Sequence, residues 1–393
     1  MRQWTLLAAG VLLSASTAWA ETGVSDSEIV FGQSAALSGP AEALGTGMRT
    51  GLLAAFEEAN AGGGVHGRQL RLSSLDDGYE PDRAIANTKA LIDGEKVFAL
   101  IGAVGTPTSK AAQPISTERN VPYVGPFTGA GFLRDPSHAN VINFRASYAQ
   151  ETEAWIQHLV GDLGYKRIAI LYQDDSFGRV GLTGATAALE RRGMQLVAQG
   201  SYQRNTTAVR TALLQIRKAN PEAVVMVGAY KPIAEFIKLA GKVKMKATFV
   251  NISFVGSNAL AKELGPQGDG VIISQVVPFP WDQKAPLAKK YAKALKRVDA
   301  KAQPGFVTYE GYMVGRMAIA ALQKAGPDLT RDKFLNVYFG GSNIDIDGVE
   351  LSFGPDDVQG SDAVYLTRIN ADGSFTALDA GAEILTGDTP AKK

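Results

Sequence analysis

The sequence predicts an α/β protein built as two successive doubly wound βαβ halves that face each other across a cleft. Three observations carry this. Strand-like and helix-like stretches alternate up to Phe144-Arg-Ala-Ser147, and the same alternation then restarts. Runs such as Val97-Phe-Ala-Leu-Ile101 are continuously apolar, as strands buried on both faces of a parallel sheet are. The chain, 393 residues long, exceeds a typical single core and implies two domains.

Residues 1–20 stand apart from this pattern. Arg2, the apolar stretch Leu6–Leu13 and the small-x-small Ala18-Trp19-Ala20 read as a secretory signal peptide, so the mature chain is expected to begin near Glu21. The apolar stretch is too short to span a bilayer, and nothing later is long and apolar enough. With no cysteine there is no lipid attachment at a processed N-terminal Cys, no disulfide framework and no thiolate metal site. The expected location is the periplasm of a double-membraned bacterium. Forty basic against thirty-nine acidic residues leave a formal charge of +1, which points to neither nucleic acid nor an anionic membrane as partner.

The elements follow in order. Glu28–Leu37 is a strand ending in a Ser38-Gly39-Pro40 loop, and Leu44–Asn60 is an amphipathic helix stopped by Ala61-Gly62-Gly63-Gly64. Gln69–Asp77 is the second strand, and Pro81 opens the next helix at a favoured first position. Val121–Gly129 closes the first half. A helix over Glu151–Leu163 and strands at Arg167–Asp174, Gln195–Gln203, Ala223–Tyr230, Thr248–Ser253 and Val271–Val277 form the second. Helices at Pro286–Val298 and Val307–Ala325 follow, the latter rich in Ala and Gly and expected to pack closely. Val349–Phe353 and Ala363–Asn370 are expected antiparallel strands, the last before an Asp372-Gly373 turn. Thr389–Lys393 reads as a frayed tail.

In open sheets of this kind ligands sit outside the carboxyl ends of the strands. The stretch after Val97–Ile101 supplies Gly102 and Gly105 for a tight turn, then the hydroxyls of Thr106, Thr108 and Ser109 at a helix start. Unpaired N–H groups and the positive end of a helix dipole suit a small anion there, and hydroxyls rather than lysines suggest a carboxylate. The alternative is that Thr106 or Thr108 only caps the helix.

A family resemblance adds to this reading. Ala36-Leu-Ser-Gly-Pro40, Asn60-Ala-Gly-Gly-Gly64 with Gly67, and Asp76-Asp77 before Pro81 occur in order with Gly102…Thr106-x-Thr-Ser109, Pro126-Phe-Thr-Gly129, Tyr172-x-Asp-Asp-x-Phe-Gly178 and Gly228-Ala-Tyr230. Over essentially the whole mature chain the sequence resembles the type I periplasmic substrate-binding proteins of ABC importers, in the branch of the leucine/isoleucine/valine-binding proteins. The resemblance implies two lobes joined by three hinge crossings, near Arg145, Val276 and Asp357. The lobes are then 21–145 with 277–357, and 146–276 with 358–393. It also implies a ligand carboxylate held at Thr106, Phe127, Thr128 and Gly129, and Phe177 covering the ligand from the second lobe. Tyr148 and Tyr230 fall at cleft-lining positions, with core packing as the alternative. The implied partners are a small carboxylate, foremost an apolar branched-chain amino acid, and a permease in the inner membrane, with the protein a monomer.

Two departures matter. Where amino-acid binders carry a carboxylate for the ligand ammonium, this sequence has Ser253, and a buried ammonium without counter-charge is costly. Gln150, Asp174, Asp175 or Glu310 are candidates to replace it; otherwise the ligand is a branched or aromatic acid without an amine. Tyr79 and Gly105 stand where some members have a cysteine pair, a change expected to touch loop stability rather than function. Catalysis is not expected. Asp174 and Asp175 are adjacent on one strand and point to opposite faces, helix capping being their expected role. His66, His138 and His158 have no metal-ligand spacing, and no nucleophile elbow or phosphate loop occurs. No cofactor is expected.

Overall fold

The computed structural model of the protein describes residues 21–341 and 343–378; the predicted signal peptide and the predicted tail Thr389–Lys393 lie outside the described residues. Five parallel strands make the first sheet: β1 (Glu28–Ala35), β2 (Gln69–Asp76), β3 (Ala99–Ile101), β4 (Tyr123–Val124) and β5 (Val141–Ile142), in the order β2-β1-β3-β4-β5. β1 is buried at seven of its eight positions because helices cover both faces. Its polar members are satisfied inside: Gln33 donates to Gly102 O at 2.9 Å, and Ser34 to Asp77 at 2.7 Å.

The second sheet joins parallel β6 (Ile168–Gln173), β7 (Ala198–Tyr202), β8 (Ala223–Val227), β9 (Thr248–Asn251) and β10 (Ile272–Gln275). β11 (Ile344–Asp345) and β12 (Glu350–Leu351) form a separate antiparallel pair. β13 (Tyr365–Ile369) runs antiparallel to β10, and β14 (Phe375–Ala377) turns back on it through Gly373, whose φ of +81° suits a glycine. The predicted strand Val349–Phe353 thus shortens to β12, while Ala363–Asn370 becomes β13.

Helices α1 (Glu42–Ala61), α2 (Pro81–Lys89) and α3 (Thr106–Glu118) belong with the first sheet. The second carries α4 (Tyr148–Ile156), α5 (Ser176–Glu190), α6 (Arg210–Lys218), α7 (Tyr230–Lys242) and α8 (Ser257–Leu264). α4 begins three residues before the predicted start because Ser147 and Gln150 form a capping box; its far end continues as a wider helix over 157–162. After β10 the chain returns to the first sheet with α9 (Pro286–Val298), α10 (Phe306–Ala325) and α11 (Arg331–Phe339).

The return is fixed by small residues. A Cβ on Gly51 of α1 would stand 2.1 Å from Thr308 O, and one on Gly311 of α10 2.4 Å from Met48 O, so these backbones approach as closely as glycine allows. Three segments link the sheets: 143–147 after β5, 276–285 after β10, and 354–364 before β13. The first and third run side by side, Asn143 N–H donating to Val358 O and Gly360 N–H to Asn143 O.

Candidate functional site

The β3–α3 turn sets one wall of the cleft. Gly105, at φ +102°, precedes Thr106 at the start of α3, so the first N–H groups of the helix open toward the neighbouring segment Phe127–Gly129. Backbone bonds lock that segment alongside: Phe127 N–H donates to Ala103 O at 2.7 Å and Gly105 N–H to Phe127 O at 3.2 Å. The hydroxyls of Thr106 and Thr128 share a hydrogen bond of 2.7 Å. Tyr148 N–H donates to Gly129 O at 2.7 Å, and its ring lies flush on Gly129, where a Cβ would meet the ring at 2.6 Å. The Tyr148 Oη is buried beside the Thr128 side chain and makes no close hydrogen bond among the described residues.

The other two hydroxyls of the stretch are engaged elsewhere. Thr108 donates back to Val104 O at 2.5 Å and to Gly105 O at 3.1 Å, inside its own helix turn. Ser109 accepts from Tyr123 Oη at 3.1 Å in the core between α3 and β4.

Aromatic rings from both sheets close the cleft. Phe254, just after β9, is their centre: its centroid lies 4.7 Å from that of Phe177, 5.3 Å from Phe127 and 5.7 Å from Tyr79. Tyr148 completes the box 5.5 Å from Phe177. Tyr79 reaches it because Asp77 accepts its N–H at 2.8 Å, holding φ at +63°, and because Gly105 leaves room: a Cβ there would stand 2.2 Å from the Tyr79 ring. The positions of the absent cysteine pair therefore touch, and Tyr79 belongs to the cleft. Tyr230 is buried apart from the box; its Oη accepts weakly from Ala43 N–H at 3.4 Å, joining α7 to α1 at the cleft edge. Polar bridges fasten the rim, where Arg204 binds Glu80 at 2.7 Å and Asp175 at 3.2 Å, and Asn205 donates to Glu80 at 2.7 Å.

Behind Phe127 and Tyr148 lies a buried charge cluster. The Arg145 guanidinium stands over both rings, 5.1 Å and 5.7 Å from their centroids. It donates from Nη2 to Glu151 Oε1 at 3.2 Å and its Nη1 is ion-paired with Glu310 Oε1 at 3.6 Å; among the described residues Nε and Nη1 make no hydrogen bond. Burial works against the charge of Arg145, but Glu310 and Glu151 hold its pKa above the ordinary arginine value. Burial pushes Glu310 up to about 7, with Arg145 opposing. Arg134, brought down to about 9 by burial and then by Arg145, props the cluster: it donates to Arg145 O at 2.8 Å and binds Gln359 in the third crossing.

Ser253 meets this cluster directly. Its N–H donates to Glu151 Oε2 and its Oγ to Oε1, each at 2.9 Å, while Ser274 Oγ donates to Oε2 at 2.5 Å. With Arg145, Glu151 thus accepts two donors on each oxygen, the full capacity of a carboxylate. Among the substitutes considered for an ammonium partner, Asp175 caps α5 through Phe177 N–H and Gly178 N–H, Asp174 pairs with exposed Arg179, and Gln150 sits in the capping box of α4. Glu310 alone of these belongs to the cluster.

Of the residues singled out in the sequence, the fold brings together Thr106, Phe127, Thr128, Gly129, Tyr148, Phe177 and Ser253 around the cleft, and leaves Thr108, Ser109 and Tyr230 apart. The same group includes Tyr79, Phe254, Glu151 and Arg145, which the sequence did not single out as cleft residues. An arginine inside the otherwise small and apolar Phe144-Arg-Ala crossing was the available signal.

Two lobes, each with a parallel sheet aimed at a shared cleft, define a protein of the type I periplasmic binding fold. The chain belongs to the periplasmic binding protein family, whose model matches residues 28–374. A Brucella abortus relative named Leu/Ile/Val-binding protein homolog 7 is 24% identical over 331 residues, 80% of this chain and 82% of that one. A solved structure described as a possible leucine/isoleucine/valine-binding protein from Rhodopirellula baltica is 39% identical, with a TM-score of 0.84 over 90% of this chain and 96% of that one. A fatty acid ABC transporter substrate-binding protein from Thermomonospora curvata shares the fold at 20% identity, TM-score 0.82, covering 91% and 93%.

Proposed function

We propose that this protein is the ligand-capturing component of an ABC importer, exported by residues 1–20 to the periplasm, and that its ligand is a small carboxylate with an apolar or aromatic side chain and no amine. The lobes 21–145 with 277–357 and 146–276 with 358–393 close over the ligand about Arg145, Val276 and Asp357, and the closed form engages an inner-membrane permease. The protein works by binding and not by catalysis. The carboxylate docks at the start of α3, against Thr106, Thr128 and Gly129, with the side chain among Phe127, Phe177 and Phe254. The observation that carries the amine-free reading is the saturation of Glu151: the carboxylate nearest Ser253 has no acceptor left for an ammonium. An unmatched charge there costs several kcal/mol. That the Thermomonospora curvata neighbour is described as a fatty acid binder accords with a cleft of this fold taking an acid without an amine.

One observation favours a second reading, a branched-chain amino acid: among the described residues Glu310 has only the Arg145 ion pair, so it retains acceptor capacity. Calorimetry with leucine and 4-methylpentanoate separates the two. The expected result is 4-methylpentanoate binding at least about tenfold more tightly. Tighter binding of leucine overturns the amine-free reading, and its loss in Glu310→Gln would then identify the ammonium partner.

A further inference from the structure

The lobes meet in two places away from the crossings, and the two meetings differ in kind. At the start of α1 and before α10 the contacts are neutral: Ala43 N–H donates to Tyr230 Oη, and Asn258 Nδ2 to Pro304 O, each at 3.4 Å. The other meeting is charged. It lies at one end of the cleft, where the carboxyl ends of β2 and β7, each the edge strand of its sheet, face each other. Arg204 donates from Nη2 to Glu80 Oε2 at 2.7 Å, and Asn205 Nδ2 donates to Glu80 Oε1 at 2.7 Å and to Gly78 O at 3.1 Å. Among the described residues, Arg204–Glu80 is the one ion pair that joins the lobes away from the crossings.

The same arginine is tied to a ring of the box on either lobe. Its Nη1 donates to Asp175 Oδ2 at 3.2 Å, and Asp175 Oδ1 accepts Phe177 N–H at 2.9 Å where α5 begins. Its guanidinium stands 6.0 Å from the Tyr79 centroid, and Glu80 follows Tyr79 directly in the chain. Both rings pack against Phe254. We propose that Arg204 and Asn205 are a latch, made only when the lobes are shut, that holds Tyr79 and Phe177 in place over the bound ligand and sets how slowly it leaves. Arg204 acts through those two rings and is a positioning residue. The proposal rests on the hinge-closure reading and applies to a ligand with or without an amine. A ligand docks before the lobes shut, so losing the latch speeds release and leaves capture unchanged. The Arg204 side chain is 21% exposed and that of Glu80 44%, so dissolved salt reaches and weakens the pair.

The test uses calorimetry and stopped-flow intrinsic fluorescence with 4-methylpentanoate and leucine, and the probe that binds the native protein more tightly is followed. Two variants spare the backbone. Glu80 precedes α2 without a side-chain capping bond, so Glu80→Ala leaves that helix start intact. Asn205 has a φ of +58°, which glycine adopts freely, so Asn205→Gly removes only the amide. At low salt, release should be about fivefold faster in Glu80→Ala and about two- to threefold faster in Asn205→Gly, with association within about twofold of native. At about 1 M salt, where the screening length falls to roughly 3 Å, the difference between native protein and Glu80→Ala should shrink toward none. Unchanged release in Glu80→Ala, or a change that salt does not reduce, overturns the latch and leaves ligand capture standing. Slower association with unchanged release also overturns it, because the pair would then guide encounter. Tighter binding of leucine overturns the amine-free reading alone, and faster release of leucine from Glu80→Ala still supports the latch. If neither probe binds, or if saturating probe leaves the radius of gyration unchanged in small-angle scattering, capture by closure falls and the latch falls with it.

Discussion

The two walls of the cleft solve the same problem by different means. The wall from the first sheet carries no formal charge: a hydroxyl pair, a glycine and the start of α3, held by the backbone bonds of Phe127 to Ala103 and Gly105. The wall formed where the lobes join carries three buried charges that compensate one another, Arg145 from the first crossing, Glu151 from α4 and Glu310 from α10, with the half-buried Arg134 beside them. A neutral wall with oriented donors can accept a ligand charge without reorganising. A wall of paired charges must stay paired, and only what is left over is free for a ligand. Under the proposed function, the difference gives the ligand carboxylate to the first wall and ligand selectivity to the second.

The comparison is broken most severely by removing Glu151. In Glu151→Ala the Arg145 guanidinium keeps only Glu310, and Ser253 N–H, Ser253 Oγ and Ser274 Oγ lose their acceptor together. Breaking a buried pair from one side costs about 3–5 kcal/mol. Urea unfolding of the ligand-free variant should register a loss of that order. A loss within about 0.5 kcal/mol, ordinary for surface changes, would mean the second wall does not depend on its charge pairing.

The same contrast explains what the sequence made legible. The first wall is local. Gly102, Gly105 and Thr106 lie within one strand–turn–helix, so turn chemistry and the helix start identify it without any tertiary knowledge. The alternation of strand and helix likewise exposes the two sheets, and only short pieces such as β12 shrink from their predicted lengths. The second wall is made by distance. Ser253 and Glu151 are 102 residues apart, and Arg134 and Gln359 225 apart. No periodicity links a residue on the first turn of α4 to one beyond β9, so Glu151 reads only as a helix residue and Arg145 only as punctuation between halves. Tyr79 was legible as a substitution but not as a ring in the box, because its reach depends on the glycine at 105.

On the first wall, Thr106→Val sharpens the comparison. Valine keeps the shape but removes one of the two paired hydroxyls, leaving Thr128 with a buried oxygen short of a partner. A hydrogen bond to a charged group contributes about 1.5–3 kcal/mol, so affinity for an acid ligand should fall about tenfold or more with little change in selectivity among acids. Selectivity that changes while affinity holds would transfer the carboxylate to the second wall.

The smallest expected effect lies on the second wall and is read through pH. Burial raises the Glu310 carboxyl from its ordinary 4.5 to about 7, with Arg145 pulling it down and Glu151 adding to the rise. Between those values the folded protein holds a proton that the unfolded chain has released, so stability due to this group is greatest below about 4.5 and is lost as the pH climbs through about 7. Binding follows the same proton. A protonated Glu310 leaves Arg145 less neutralised and presents a donor, so an anionic ligand should bind more weakly at pH 8 than at pH 6, by at most about tenfold for each pH unit through the transition. For an ammonium held by Glu310 the slope is reversed, with affinity rising as the carboxyl ionises. Glu310→Gln should flatten either slope, which separates this carboxyl from Asp77, itself raised to about 6 by burial but bonded to Ser34 and the Tyr79 N–H on the first lobe. Calorimetry at pH 6, 7 and 8 on the native protein and this variant supplies the sign. A flat native profile would leave Glu310 a bystander, and a rising one would return an amine to the ligand.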